Sequence, residues 1–494
     1  MTSMCLENAP RCLARLTCAA GLAASLLALS SLTAVTAATE AGPPHAVDRS
    51  SGSESLARAL LRELVEIDTT PAHGCTKAAE ATSTRLRDGG FADAEVQLLG
   101  SRPDRQNLVV RVRGSGTDKP ILFIAHLDVV DAPREGWHSD PFRLTERDGY
   151  FYGRGVGDNK SAAAQLVANL IRLRTERFTP GRDLIVALTA DEEAGPANGL
   201  LWLLANRSDL MDVAYCLNLD AGGGYMEKGK RRRLTVQTSE KTYLSFRLRT
   251  QGEGGHSSLP TTDNPIYRLA AGLTRIASHS FPFRFNETTR EYFRRIALTE
   301  TGARADDLRA VAKDPPDLAA AQRLAASSVL YNSLLHTTCV ATRLSAGHAD
   351  NALPQSAEAI LNCRVFPGDT AEFVRQTIEE VLADPKIEVI PLGSGRPSPA
   401  SPLVPEVWAA VEKLSHARWP EIPVLPVMDP WSSDSAKLRR AGIPTLGVNG
   451  TFGDIELGNP HGANERLSIA AFDEGTEFLY ELMKILARPA AERN

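Results

Sequence analysis

Cysteine is scarce in this chain. Its 494 residues hold 7, and Cys5, Cys12 and Cys18 fall within the first 38 residues, leaving Cys75, Cys216, Cys339 and Cys363 for the remainder. No CxxC spacing occurs, so a cysteine-based zinc site is unsupported. Nothing in the sequence chooses among the pairings that these cysteines allow, and core or half-buried thiols are the expectation. Aromatic residues make up only 6% of the chain. Charge of one sign is lacking too: 55 basic residues meet 60 acidic ones, for a net charge of −5. A nucleic-acid binder shows a basic face, and no long basic stretch exists here, so no nucleic-acid partner is expected. The short basic run of Lys228, Lys230, Arg231, Arg232 and Arg233 reads as a solvated hairpin. Beyond the N-terminus no apolar run reaches the roughly 18 residues of a membrane span. What is present is an ordinary globular balance, 43% hydrophobic and 23% charged. That excludes fibrous and wholly disordered chains and allows about two or three domains.

Arg11 and Arg15 precede an apolar stretch, residues 16–32, that runs into the small residues 33–38. A positive flank, a short apolar run and an A-x-A-like exit form the layout of a secretory signal peptide, here residues 1–38. An uncleaved anchor is the alternative. The expectation is an exported protein, periplasmic or secreted, with no membrane association after cleavage. Residues 39–53 are rich in Gly, Pro, Ser and Glu and read as a linker.

Helical periodicity marks residues 54–68, 76–87 and 162–174. Between the helices lie short runs that are apolar at every position: 121–125, 184–188, 213–219 and 444–448. Such runs suit strands buried on both faces of a parallel sheet, and the overall pattern is α/β. The middle of the chain differs. Residues 244–249 alternate, a helix follows at 265–277, two alternating segments come near 338–344 and 358–366, and a helix (370–382) leads to a strand (386–390). That β-α-β-β-α-β order is the ferredoxin-like signature. Residues 286–330 add a helical insertion. A smaller α+β unit, residues 238–395, thus interrupts a larger α/β unit formed by residues 54–237 and 396–494.

In open α/β sheets the site lies beyond the carboxyl ends of the strands. The first apolar run ends in His126-Leu127-Asp128, the second in Asp191-Glu192-Glu193 and the third in Asp220. His461 follows the fourth, after a Gly-rich loop, and Asp158 sits in Gly153-Arg154-Gly155-Val156-Gly157-Asp158, just before a helix. Any one of these could be a cap or a solvated loop residue. Gathered on one rim, so many acids would repel one another unless cations joined them. Mixed His and carboxylate ligands suit zinc, with manganese or cobalt as alternatives.

These segments, with Gly255-His256-Ser257-Ser258-Leu259-Pro260, resemble in content and order the motif set of the dizinc metallopeptidase family of glutamate carboxypeptidase, aminoacylase and carnosine dipeptidase. The likeness runs from about Ala57 to the C-terminus. It implies a phosphorylase/hydrolase-like zinc-peptidase catalytic domain with an inserted ferredoxin-like lid or dimerisation domain. It also implies roles. His126 and Asp220 would bind one of two divalent cations, Glu193 and His461 the other, and Asp158 would bridge both. Asp128 would hold the ring of His126, and Glu192 would be the general base for a water activated between the cations. A cis peptide would follow Asp158. His256 would donate to the developing oxyanion, from its own chain or from a partner in a homodimer formed through the lid. Asn351 and Arg364 would grip the substrate, the Arg fork suiting a free carboxylate; an ordinary ion pair is the alternative for Arg364. The activity implied is an exopeptidase or dipeptidase acting on small peptides, with deacylation of N-acyl amino acids as the runner-up. A non-catalytic binding protein on the same scaffold is the remaining alternative.

Overall fold

The computed structural model describes residues 55–193, 197–227, 229–454 and 458–489. The expected signal peptide and linker lie outside the described residues. In chain order the strands are β1 (Val96–Leu99), β2 (Asn107–Val112), β3 (Ile121–His126), β4 (Thr145–Arg147), β5 (Tyr150–Tyr152), β6 (Leu184–Thr189), β7 (Tyr215–Asn218), β8 (Gly223–Glu227) and β9 (Lys230–Glu240). They continue with β10 (Thr242–Gln251), β11 (Gly255–His256), β12 (Thr338–Ala346), β13 (Ala352–Leu353), β14 (Ser356–Val365) and β15 (Glu388–Leu392). The last are β16 (Val424–Asp429), β17 (Thr445–Gly447), β18 (Phe452–Gly453) and β19 (Arg466–Ser468).

The four apolar runs become neighbours. In the 10-stranded sheet the order is β1-β2-β6-β3-β7-β17-β9-β8-β18, with β16 paired to β9. Strands β6, β3, β7 and β17 form its parallel centre. Every residue of β3 and β6 is buried, and the side chains alternate between two apolar layers. Ile121, Phe123 and Ala125 enter one core with Leu166 of the helix Lys160–Thr175 and Phe478 of the helix Ile469–Ala487. Leu122 and Ile124 enter the other core with Leu200 and Leu438. Both faces are covered, which is why the runs show no alternation. The sheet is mixed, not wholly parallel: β1, β2 and β6 pair antiparallel at one edge, and β8 and β9 form a hairpin near the other. That hairpin carries Lys230, Arg231 and Arg232 in solvent, as expected, but Arg233, expected with them, is buried with its guanidinium 3.7 Å from the centre of the Tyr225 ring.

The chain leaves the large sheet at Glu240 and enters a 4-stranded antiparallel sheet at Thr242. Its order, β12-β14-β10-β15, is that of a ferredoxin-like unit. Strand β14 alternates buried and half-buried residues, and its buried side packs on the helices Pro265–Ser278 and Ala371–Leu382. Strand β12 is the exposed edge. The insertion forms the helices Glu287–Ile296, Gly302–Val311, Leu318–Ser327 and Val329–Leu335. Tyr292, Phe293 and Leu334 of these helices pack against Leu425, Val427 and Met428 of β16, so the insertion is anchored on the large sheet.

The cysteine expectation holds for Cys75 and Cys216, which are free and buried, and fails for the other two. Cys339 and Cys363 form a disulfide. They lie directly opposite one another in the β12–β14 register, a proximity set by strand pairing across 24 residues of sequence.

Candidate dimetal site

Strand β3 ends in His126, and the following residues carry Asp128. The parallel neighbours β6 and β7 deliver Asp191-Glu192-Glu193 and Asp220 to the same rim. The main-chain carbonyl of Asp128 accepts from His126 Nδ1 at 3.0 Å. A carbonyl can only accept, so Nδ1 carries the proton and Nε2 faces the site. There Nε2 meets Asp158 Oδ1 at 2.9 Å and Asp220 Oδ1 at 3.5 Å. On the other side of Asp158, His461 Nε2 lies 3.2 Å from Oδ2 and 2.8 Å from Glu193 Oε1. The ligand atoms of His126, Asp158 and Asp220 all lie within 4.8 Å of one another, and so do those of Asp158, Glu193 and His461. Asp158 is common to both groups and offers one oxygen to each.

The Asp158–Asn159 peptide is cis. Asn159 Nδ2 donates to Asp220 Oδ1 at 3.0 Å and so orients that carboxylate. Asp128 meets the ring of His126 through its main chain and not through its carboxylate. Its carboxylate lies 3.6 Å from His126 Nδ1, too far for a hydrogen bond, and instead accepts the backbone N–H groups of Glu192 and Glu193 at 3.0 and 2.9 Å. The carbonyl of Asp128 thus holds one ligand, while its carboxylate holds the turn that bears another ligand and Glu192.

The carboxylates and imidazoles of the site strongly perturb one another's protonation. Burial opposes protonation of His126, but the carboxylates of Asp220 and Asp158 outweigh it and raise the ring well above the usual imidazole range. Hydrogen bonds to Asp158 and Glu193 raise His461 to about 10. Burial raises Asp220 to about 7, with Asp158 adding repulsion against the pull of His126. Asp158, between two rings, stays well below the carboxylate range although burial opposes it. Two nitrogen donors and three carboxylates in overlapping triads fit a pair of divalent cations that share Asp158. Glu192 lines a small cavity with His126, Asp220 and Asp434. Burial, then the Asp434 charge, pushes its carboxyl well above the ordinary value.

Three residues expected at the site stand apart from it. His256 is exposed on the short β11–β13 ribbon, paired with Ala352. Its Nδ1 accepts from the Ser258 N–H at 3.1 Å, which leaves Nε2–H as a free donor. Asn351 is exposed beside it, its carbonyl accepting from the Ser257 N–H at 3.1 Å. Among the described residues neither makes a hydrogen bond or ion pair with the metal-site carboxylates. Arg364, on β14, lies half-buried with its guanidinium 4.8 Å from the centre of the Tyr243 ring. Burial lowers its pKa, against the opposing pull of Tyr243, Glu240 and Glu192. No carboxylate among the described residues lies within ion-pair distance of Arg364, so the ordinary ion pair considered from the sequence is absent.

Asp434 was not foreseen from the sequence, and Asp191 was foreseen without a role. Asp434 accepts from Thr189 Oγ1, Asn198 Nδ2 and Lys437 Nζ at 3.3, 3.2 and 2.6 Å. It follows β16, a strand that Pro426 and the terminal Asp429 hide from an apolar-run search. Asp191 has a positive φ of 55° and is held by Arg105 at 3.0 Å. Three consecutive acids at a strand end were the only trace of that turn.

The sequence profile of peptidase family M20/M25/M40 matches residues 122–485. The chain is 28% identical over 386 residues to the bovine (Bos taurus) N-fatty-acyl-amino acid synthase/hydrolase PM20D1, covering 76% of this chain and 75% of that protein. It is 33% identical over 211 residues to a succinyl-diaminopimelate desuccinylase of Delftia acidovorans, covering 40% of this chain and 51% of that one. Among solved structures, the M20 family metallo-carboxypeptidase Sso-CP2 of Sulfolobus solfataricus aligns with a TM-score of 0.65 at 17% identity, over 87% of this chain and 99% of that one. Human carnosine dipeptidase 1 aligns with a TM-score of 0.62 at 16% identity, over 85% and 94% of the two chains.

Proposed function

This chain belongs to peptidase family M20/M25/M40, whose members are peptidases and amidohydrolases, and from that premise we propose that it is a dizinc amidohydrolase cleaving an amide bond next to a free carboxylate. The observation that carries this reading is the sharing of Asp158 by two His/carboxylate triads beside Glu192. His126 and Asp220 would hold one cation, Glu193 and His461 the other, and Asp158 both; cobalt or manganese would suit the same ligands. When bound, the cations supply Lewis acidity to water and to the scissile carbonyl. Glu192 takes the proton of the attacking water and returns it to the leaving amine. Arg364 pairs with the substrate carboxylate, Asn351 steadies the substrate, and the free Nε2–H of His256 stabilises the oxyanion.

N-acyl amino acids stand ahead of peptides as the substrate class. The relative matched over three-quarters of its length is an acyl-amino acid synthase/hydrolase, whereas the peptidases named above share only the fold at that identity. Hydrolysis of a panel of N-acyl amino acids and dipeptides by zinc-loaded protein tests this: faster turnover of the acyl compounds supports it, and turnover of dipeptides alone overturns it.

Two further parts belong to the reading. The protein is exported, to the periplasm or beyond, which the residue 1–38 pattern and the Cys339–Cys363 disulfide support, because disulfides persist in oxidising compartments. It also forms a homodimer through the lid. Strand β12 leaves Val340 and Leu344 60% and 67% exposed along an unpaired edge, a surface suited to a second copy.

A further inference from the structure

The loop that carries Asp158 is held by a side chain remote from it in sequence. Glu465 lies four residues beyond His461 and is fully buried. Its Oε1 accepts the backbone N–H groups of Gly157 and Asp158 at 2.7 and 3.0 Å. Its Oε2 accepts the Gly155 N–H at 3.0 Å and Arg154 Nη1 at 2.7 Å. The Glu465 carbonyl takes the Gly153 N–H at 3.2 Å. Arg154, itself 2% exposed, donates through Nη2 to the Gly462 carbonyl at 3.1 Å. Gly155 has φ +88°, and a Cβ on Gly157 would stand 3.2 Å from Glu465 Oε1, so small residues let the carboxylate approach.

One buried ion pair therefore laces the peptide bearing Asp158 to the peptide bearing His461. His461 itself has a positive φ of 64°, an unfavoured conformation that its surroundings must impose. Burying an ion pair is a poor route to stability, since apolar replacements of similar volume are often neutral or stabilising. Here all four acceptor positions of the carboxylate are directed at the peptide that carries Asp158, which suits positioning better than stability.

We propose that the Arg154–Glu465 pair is a positioning device for the dimetal centre: it presets Asp158 and His461 relative to one another so that two divalent cations are bound tightly. The proposal rests on the dimetal reading above. It is tested on metal-free full-length protein with Zn²⁺ alone as the probe, using competition with a chromophoric chelator, and with Co²⁺ for its visible absorption. The variants are Glu465→Gln, Arg154→Lys and the apolar double substitution Arg154→Met with Glu465→Leu. Glu465→Gln, which leaves the buried Arg154 charge unpaired, and the double variant, which leaves the Gly155, Gly157 and Asp158 N–H groups without their acceptor, are expected to melt below the parent without metal while still folding, and to bind Zn²⁺ about 10–100-fold more weakly, the usual cost of losing a partner behind a ligand. Their Co²⁺ bands should shift as well. Arg154→Lys keeps a cation on Glu465 but cannot reach Gly462 at the same time, and should fall between.

Parent-like Zn²⁺ affinity in these variants would overturn the proposal, and so would failure of all three to fold, which would assign the pair to stability. If the double variant alone fails to fold, the affinities of Glu465→Gln and Arg154→Lys decide by the same criteria. Parent protein that takes up fewer than two Zn²⁺ would instead overturn the dimetal reading itself.

Discussion

The rim of the parallel quartet and the face of the lid solve different problems. On the rim, β3, β6 and β7 run parallel and adjacent, so residues just past their ends converge whatever else the chain does. His126, Glu193 and Asp220 arrive there on a scaffold packed on both faces, and the network through Asp128, Asn159 and Asp191 fixes their peptides. On the lid, His256 sits on a two-residue ribbon and Asn351 just before its second strand, both in solvent and, among the described residues, without a hydrogen bond or ion pair to the metal-site carboxylates. Ligands that must hold a cation before substrate arrives need a rigid frame; groups that meet only substrate can be brought by the lid or by a second copy. Rim substitutions should therefore act on metal and chemistry, and lid substitutions on substrate.

The largest effect should come from the rim. Glu192→Gln keeps the shape of the side chain and both cations while removing the proton carrier, so kcat should fall about 100- to 10,000-fold. Parent-like kcat with two metals retained would remove Glu192 from its role. On the lid, His256→Ala should cost about 100- to 1,000-fold in kcat without changing metal content, as for other oxyanion donors. Because His256, among the described residues, makes no hydrogen bond or ion pair with its own metal-site carboxylates, mixing this variant with Glu192→Gln should restore part of the activity through hybrid dimers; an inactive mixture that does exchange subunits would place His256 in cis.

A smaller change belongs to substrate grip. Arg364→Ala should weaken capture of substrates with a free carboxylate by about 10- to 100-fold, the value of a charged hydrogen bond. Amidated analogues should be nearly indifferent, and equal losses for both would discard the clamp.

An effect on stability, with none expected on turnover, concerns the junction between the two regions. Lys241 is fully buried, its Nζ 3.5 and 3.4 Å from Ser333 Oγ and Thr338 Oγ1. Burial, with the Arg364 charge adding to it, lowers Lys241 to about 7. A lysine of the unfolded chain titrates near 10.4, so between pH 7 and 10 the unfolded state holds a proton that the folded state has released. Stability then rises with pH across that window, by at most about 1.4 kcal/mol per pH unit. Lys241→Met should flatten that part of a denaturant-melt series, and an unchanged slope would show that Lys241 does not titrate there.

The rim was legible in the sequence because burial on both faces writes an unbroken apolar run, and each run ended in an acid or a histidine. Strand β16 was not, since Pro426 and Asp429 break its run, and with it Asp434 was missed. The Cys339–Cys363 bond depends on the register of β12 against β14, which residue types do not encode. Glu465 carries no local mark: it becomes meaningful only when its segment folds back beneath Gly155 and Gly157. The His126-Leu127-Asp128 motif was readable, but which of its atoms does what was not, because carbonyl and carboxylate divide the work in a way only geometry reveals.

The account stands most directly on metal stoichiometry. Metal-free protein dialysed against zinc and then analysed for elements should hold two zinc ions per chain, and Asp158→Asn should lose both. One ion per chain, or an Asp158→Asn protein that still holds two, would contradict a centre built on a shared carboxylate.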